Sequence, residues 1–211
     1  MDLKGVIFDL DGVLVNTAHF HYLAWKRLAD EYGIPFDEAA NERFKGVSRT
    51  DCVRMLFPER DHAELELLAD RKNDCFKKMI ETLQPADMFP GALKFIHSLR
   101  LAGVRTAIAS ASRNTSRIVT RLRIGGYFDA IVDGNDVNRS KPAPDGFLLA
   151  AERMALAPNS CVVIEDAAAG IEAAHAAGMR AVGIGSPATL GEAERVVPHT
   201  GELTMELLRD L

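Results

Sequence analysis

Five short runs, the first of them continuously apolar, predict β-strands along this chain. They cover residues 4–8, 104–110, 130–132, 161–164 and 181–184. A continuous apolar run without polar alternation is typical of a strand that is buried on both faces of a parallel sheet. Amphipathic segments of helical length separate the later runs, at residues 91–102, 114–123, 146–156 and 167–178. Strands that alternate with helices in this way predict an α/β fold with a doubly wound, Rossmann-like parallel sheet and right-handed crossovers.

The segment between the first two strands interrupts this alternation, because it has helical periodicity and no strand pattern. Apolar positions recur at helical spacing over residues 17–32, and Gly33 predicts the end of that helix. Residues 61–83 are typical of one long helix, and residues 41–57 of shorter pieces. We therefore expect an α-helical cap domain inserted into the sheet core. The expected domains are a core of residues 1–15 and 88–211 and a cap of residues 16–87.

Composition narrows the class of protein without changing this architecture. With 211 residues, 47% hydrophobic and 26% charged, the chain fits one folded core with a modest insertion. Acidic residues outnumber basic ones 30 to 25, a net charge of −5, which argues against binding of nucleic acid through bulk charge. The three cysteines form no C-x-x-C pair, and the apolar run at residues 6–8 is too short for a signal sequence or a membrane span. We expect a cytoplasmic protein with no membrane partner.

Two pairs of acidic residues follow two of the predicted strands. Asp9 and Asp11 leave the first strand, and Glu165 and Asp166 leave the fourth. Because the carboxyl ends of parallel strands meet at one edge of the sheet, the two pairs can lie together there and offer the oxygen ligands that Mg²⁺ prefers. Each pair alone has a structural explanation, as a polar turn after Asp9 or as a helix cap at Asp166. Together they favour a metal site.

Two further segments can bind an anion. The second strand ends in Ser-Ala-Ser-Arg-Asn at residues 110–114, which opens a helix, and a helix N-terminus offers free N–H groups to a phosphate. Capping of that helix by Ser112 is the structural alternative. Lys141 precedes Pro142, which restricts the lysine backbone to an extended conformation. A Lys-Pro pair is otherwise typical of a surface turn, but here it can bring a positive charge to the acidic edge.

Four motifs, in their order along the chain, resemble those of the haloacid dehalogenase superfamily of phosphotransferases. They are D-x-D-G, the serine-containing strand end, the lysine and the Glu-Asp pair. The resemblance implies that Asp9 is the nucleophile that becomes an aspartyl phosphate and that Asp11 is the general acid/base. It also implies that Ser110 and Lys141 hold the transferring phosphoryl group. The implied ligands of Mg²⁺ are Asp9, the backbone carbonyl of Asp11, Glu165 and Asp166.

The predicted cap carries three motifs that composition alone assigns to core or surface. Thr17, His21 and Trp25 are spaced to share one face of a helix. The segment Phe-Lys-Gly-Val-Ser-Arg at residues 44–49 ends in a guanidinium that can bind phosphate in a bidentate fork. The segment Arg-Lys-Asn-Asp at residues 71–74 is typical of a solvated helix face.

Together with the core motifs, these segments look like the β-phosphoglucomutase family of that superfamily. The resemblance implies that Arg49, Ser112, Arg113 and Asn114 hold the phosphate that is not transferred. It places Thr17 and His21 among the catalytic residues, where they order the hinge and the surroundings of Asp11. Other residues implied in binding the sugar or shaping its pocket are Trp25, Lys45, Gly46, Val47, Ser48, Cys52, Lys72 and Ala111. Arg113, Phe76 and Cys52 depart from the Lys, Tyr and Ser that are usual in the family, which leaves the exact sugar open.

The implied reaction interconverts β-D-glucose 1-phosphate and D-glucose 6-phosphate through an aspartyl-phosphate enzyme and β-D-glucose 1,6-bisphosphate. The implied cofactor is Mg²⁺, the partners are small-molecule sugar phosphates, and we expect a monomer. A sugar-phosphate or phosphoglycolate-type phosphatase is the alternative enzyme, and it needs no second phosphate site. A receiver-like signalling module also has a phosphorylatable aspartate, but the length, the helical insertion and the second acid of D-x-D-G argue against it.

Overall fold

The computed structural model describes residues 3–45 and 47–211 and contains a six-stranded parallel sheet in the order β3-β2-β1-β4-β5-β6. The strands are β1 (Gly5–Phe8), β2 (Arg105–Ala109), β3 (Ala130–Val132), β4 (Cys161–Glu165), β5 (Arg180–Ile184) and β6 (Arg195–Val197). The order reverses on either side of β1, so the fold is doubly wound, as the apolar runs predict. The sequence analysis missed β6, because this three-residue edge strand begins with an exposed arginine and has no continuous apolar run.

Both faces of the sheet are covered by core helices. These helices are α5 (Ala92–Leu101), α6 (Thr115–Leu122), α7 (Asp145–Arg153), α8 (Ala168–Ala176), α9 (Pro187–Leu190) and α10 (Met205–Arg209). Within β1, Val6 and Phe8 pack into the layer formed with α5 and α6, whereas Ile7 packs into the layer with α7 and α8. Consecutive residues of the central strand are therefore all buried, which is the reason for its unbroken apolar sequence.

The segment between β1 and β2 forms the helical cap. Its helices are α1 (Ala18–Glu31), α2 (Glu38–Glu42), α3 (Arg49–Leu56) and α4 (His62–Ile80). They pack around a hydrophobic cluster of their own that includes Trp25, Leu28 and Leu68. Gly33 is predicted to end α1, and it lies just beyond that helix with a positive φ of 68°, which is typical of a glycine at a helix C-terminus. The chain leaves and re-enters the core side by side, where Val15 forms an antiparallel bridge with Met88.

The fold class is thus confirmed, while the domain limits of residues 1–15, 16–87 and 88–211 stay a prediction. In the described part of the chain, no helix combines the length and the apolar character that crossing a membrane demands. Cys52, Cys75 and Cys161 are all free thiols.

Candidate active site

A cavity of about 700 Å³ lies between the carboxyl edge of the sheet and the cap. Side chains that follow β1, β2 and β4 reach it from the core, and side chains of α1, α3 and α4 reach it from the cap. The predicted residues that line it are Asp9, Asp11, His21, Trp25, Lys45, Val47, Ser48, Arg49, Cys52, Lys72, Ser110, Ala111, Ser112, Arg113, Asn114, Lys141, Glu165 and Asp166. Thr17 is fully buried behind the cavity wall. Gly46 lies outside the described residues.

A buried lysine joins the two acidic strand ends at the floor of this cavity. The Nζ of Lys141 donates to Asp9 Oδ1 and to Glu165 Oε1, each at 2.5 Å. Burial by itself lowers the pKa of Lys141, but the two carboxylates outweigh it and raise that pKa above its ordinary value. Lys141 is therefore a fixed cation beside Asp9, as a group that neutralises a phosphate must be.

Glu165 holds both Lys141 and the turn that follows β4. Its Oε2 accepts from the backbone N–H groups of Asp166 at 2.7 Å and Ala167 at 2.8 Å. Its carboxylate packs against Gly170 so closely that a Cβ there would lie 2.0 Å from Oε1. The N-cap of α8 is Ala167, so Asp166 does not cap this helix and its carboxylate is left for the cavity.

Asp9 and Asp11 both have raised pKa values. For Asp9, burial is the main cause, and the nearby carboxylates of Glu165, Asp11 and Asp166 add to it against the opposing effect of Lys141. Burial also raises the pKa of Asp11, against a hydrogen bond that the Thr17 hydroxyl donates to its Oδ1. A pKa above the ordinary value suits Asp11 to proton transfer.

The acidic edge has the donor chemistry for a divalent cation. Burial and then Glu165 raise the pKa of Asp166 to about 7. The Asp166 carboxylate packs on the Asp11-Gly12 turn, where a Cβ at residue 12 would lie 2.1 Å from its Oδ2. Within residues 3–45 and 47–211, no three acidic, histidine or cysteine side chains are already gathered around one point as a metal cage. Carboxylates that raise one another's pKa are nevertheless a site where a cation with oxygen ligands fits, because it relieves their repulsion.

Lys72 is buried in an aromatic pocket of the cap, in contrast to the solvated face that its sequence context suggests. Its Nζ lies 2.8 Å from His21 Nδ1, 4.6 Å from the centre of the Trp25 ring and 4.7 Å from that of Phe76. Burial lowers its pKa to about 7. Burial and then Lys72 also lower the pKa of His21, whose Nε2 lies 3.9 Å from Asp11 Oδ1. The helical spacing of His21 and Trp25 thus serves to enclose the amine of Lys72.

Arg49 lines the cap side of the cavity, and one nitrogen of its guanidinium has no hydrogen-bond partner among the described residues. This nitrogen, Nη1, is buried, and Nη2 lies 3.6 Å from Asp70. Burial lowers the pKa of Arg49, and the charge of Arg113, which lines the same cavity, lowers it further against the opposing effect of Asp70. A buried charged donor without a partner costs free energy unless an anion completes it.

The loop before α6 faces Arg49 from the core. The Oγ of Ser112 accepts from the Asn114 N–H at 3.2 Å, and Asn114 is the N-cap residue of α6. The side-chain amide of Asn114 donates to Asn73 Oδ1 on α4 at 2.8 Å, which links the core loop to the cap. The sequence analysis did not select Asn73, because an asparagine between charged residues on a helix gives no signal of burial.

Cys52 and the loop before Lys141 complete the wall. The Sγ of Cys52 lies 3.7 Å from the Phe44 carbonyl and 3.9 Å from that of Val47. Residues 137–140, which the sequence analysis also missed, line the cavity as an irregular polar segment. Such a segment has no periodicity to distinguish it from an ordinary surface loop.

Comparison with known proteins places this geometry in context. The model of the haloacid dehalogenase-like hydrolase family matches residues 3–178. A β-phosphoglucomutase of Bacillus subtilis is 42% identical over 99% of this chain and 95% of its own length. The fructose-1-phosphate phosphatase YqaB of Escherichia coli is 37% identical over 85% of this chain and 95% of its own length. A crystal structure of β-phosphoglucomutase from Clostridium difficile superposes with a TM-score of 0.94 at 33% identity, covering 99% of this chain and 96% of that one. The resemblance to β-phosphoglucomutases that the motifs indicate is confirmed.

Proposed function

Since this chain belongs to the haloacid dehalogenase-like hydrolase family, we propose that it is a phosphomutase that interconverts β-D-glucose 1-phosphate and D-glucose 6-phosphate. The proposed route passes through an aspartyl phosphate on Asp9 and β-D-glucose 1,6-bisphosphate. The full-length similarity to β-phosphoglucomutases supports this activity, and the two ends of the cavity explain how one site can perform it.

The observation that carries the proposal is the buried, unpartnered Nη1 of Arg49. A mutase returns a bisphosphate to its nucleophile in either orientation, so it needs one phosphate position at Asp9 and a second one at the far end of the sugar. Arg49, Arg113, Ser112 and Asn114 would hold the second phosphate. The guanidinium of Arg49 gains the acceptor that it lacks when a phosphate oxygen lies there.

At the near end, the carboxylate of Asp9 attacks the phosphorus, and the sugar oxygen leaves. Asp11 protonates that oxygen, and in the reverse step it takes a proton from the attacking hydroxyl. The hydrogen bond from Thr17 orients the Asp11 carboxyl, and His21 Nε2 lies 3.9 Å from the same oxygen, Oδ1. Lys141 and the Ser110 hydroxyl would bind the transferring phosphoryl oxygens. Lys72, Trp25, Cys52 and the loop at residues 45–48 would contact or enclose the sugar.

We include Mg²⁺ in this proposal, held by Asp9, the backbone carbonyl of Asp11, Glu165 and Asp166. When bound, it would neutralise charge on the phosphoryl group and offset the repulsion between phosphate and the acidic edge. The cytoplasmic location and the monomeric state remain part of the proposal. The three free thiols are consistent with a reducing compartment.

Phosphorus NMR of the protein with Mg²⁺, β-glucose 1-phosphate and a trace of β-glucose 1,6-bisphosphate tests the function directly. Conversion to glucose 6-phosphate without release of inorganic phosphate is the expected result. Inorganic phosphate as the main product would overturn the mutase assignment and establish the second candidate, a sugar-phosphate phosphatase. The similarity to a fructose-1-phosphate phosphatase is the observation that keeps that candidate in view.

A further inference from the structure

A second cavity, of about 430 Å³, lies behind the acidic edge, where β5 and β6 end. Ser186, Thr189 and His199 line its outer part. Three residues, Ala18, Lys45 and Asp166, line both this cavity and the larger one that holds the candidate active site. They form the partition between the two cavities, and Lys45 and Asp166 are its charged members.

Lys45 forms ion pairs with a carboxylate of the cap and with a carboxylate of the core. Its Nζ lies 2.9 Å from Glu42 Oε1 within the cap and 3.8 Å from Asp166 Oδ2 in the core. The side chain of Asp166 is only 13% exposed, whereas that of Glu42 is 59% exposed. Water screens the attraction between Lys45 and Asp166 less than that between Lys45 and Glu42, because the Asp166 carboxylate is nearly buried.

The oxygen that faces Lys45 has little freedom to move away. Asp166 Oδ2 lies against the Gly12 backbone, so closely that a Cβ on residue 12 would lie 2.1 Å from this oxygen. A cation bound to Asp166 and the Lys45 ammonium would therefore share one fixed carboxylate. Two positive charges that share one carboxylate repel each other, and the repulsion is large where water is partly excluded.

We propose that Lys45 is a built-in counter-ion that competes with the divalent cation for Asp166. With the cation absent, Lys45 neutralises Asp166 and ties the cap loop to the core. When the cation arrives, Lys45 loses this partner and becomes free to turn into the larger cavity, which it also lines. The inference rests on the metal site of the proposed function, and it assigns to Lys45 a role besides contact with the sugar.

Binding of Mn²⁺ alone, without sugar phosphate, tests this competition. Free Mn²⁺ is measured by its electron paramagnetic resonance signal in titrations of the wild type and of Lys45→Met, with Lys45→Gln as a second neutral variant. At low ionic strength we expect the Kd to fall by about 5- to 30-fold in both variants, and by less at high salt. Lys45→Arg, which keeps the charge, should stay close to the wild type.

Lys26→Met is the matched control for the change in net charge. Its ammonium pairs with Asp30 at 2.8 Å on the exposed face of α1, so its loss should leave the Kd within about twofold. Glu42→Gln removes the second partner of Lys45 and should weaken Mn²⁺ binding by about threefold. In the Lys45→Met background the same change should have a smaller effect, because Glu42 then has no lysine to hold.

The results separate this inference from the proposed function. If the wild type binds Mn²⁺ and both neutral Lys45 variants bind it with the same Kd, the competition is overturned and the metal site is not. An equal gain in affinity in Lys26→Met would also overturn it, since a general field would then explain the effect. Absence of Mn²⁺ binding in every variant would overturn both the competition and the metal site.

Discussion

The two ends of the active-site cavity differ in how their charges are satisfied. At the core end, Lys141 is bonded to Asp9 and Glu165, and Glu165 is bonded to the backbone, so each of these buried charges has a partner within the protein. At the cap end, the buried Nη1 of Arg49 has no partner among the described residues. At the core end the protein thus holds Lys141, Asp9 and Glu165 in place in advance, whereas at the cap end a buried donor is left for a ligand to complete.

This difference predicts that the core end is required for every phosphoryl transfer and the cap end for the mutase reaction. Damage at Asp9 should stop mutase and phosphatase turnover alike. Substitution of Arg49 should lower mutase turnover much more than phosphatase turnover. The buried Lys72 between the two ends should affect stability as well as turnover.

Asp9→Asn should have the largest effect. Loss of the proposed nucleophile should lower kcat by about 10⁴-fold or more for both sugar phosphates and simple phosphate monoesters, measured as initial rates. No phosphorylated protein should be detected by mass spectrometry after incubation with the bisphosphate. Asp133→Asn is the control, because it changes a similarly buried carboxylate that follows β3. If Asp9→Asn still formed a phosphoenzyme, the assignment of the nucleophile would be wrong.

Arg49→Ala should have the next largest effect, and a selective one. Loss of the guanidinium should lower kcat/KM for isomerisation by about 10²- to 10³-fold, since it removes a charged donor to the distal phosphate. Hydrolysis of a simple monophosphate should change much less, because that substrate has nothing to place at the cap end. Arg54→Ala, on the same helix but paired with Asp51 on the surface, is the matched control. An equal loss of both activities would contradict a difference between the two ends.

Lys72→Met should alter stability in a way that depends on pH. The pKa of Lys72 is lowered from 10.5 to about 7 by burial, so between these values the unfolded chain binds a proton that the folded protein lacks. Stability of the wild type should therefore rise with pH through this window, and the cost of the buried charge should be complete below pH 7. The variant should have a higher Tm than the wild type near pH 6, and the gap should close towards pH 10.

Thermal unfolding of both proteins across this pH range measures the effect. The cost corresponds to a few kcal/mol, or roughly several degrees in Tm. Lys78→Met, an exposed position of the same helix, should shift the Tm by no more than about a degree at any pH. A constant gap between the Lys72 variant and the wild type would show that lost packing, and not the buried charge, governs the change.

The core end could be predicted from the sequence in considerable detail. The strands that carry it are buried on both faces, so β1 and β4 are apolar up to their polar ends, and the polar residues there stand out. Asp9 and Asp11 follow β1, Ser110 follows β2 and Glu165 ends β4, and their convergence at one edge follows from the parallel order. The resemblance to a family then supplied roles for these residues that the pattern alone left open.

The cap end was decided by tertiary structure. On a helix, a lysine, an arginine or an asparagine between charged neighbours has the same local pattern whether it faces water or another element. Lys72 is buried because Trp25 and Phe76 enclose it, and Arg49 has an unpaired donor because of where α3 meets the cavity. The contact between Lys45 and Asp166 joins residues far apart in the chain. The sequence by itself determined which segments are strands and helices, since periodicity is local. Only the packing of distant segments decided which charges are paired, because burial depends on what lies opposite each side chain.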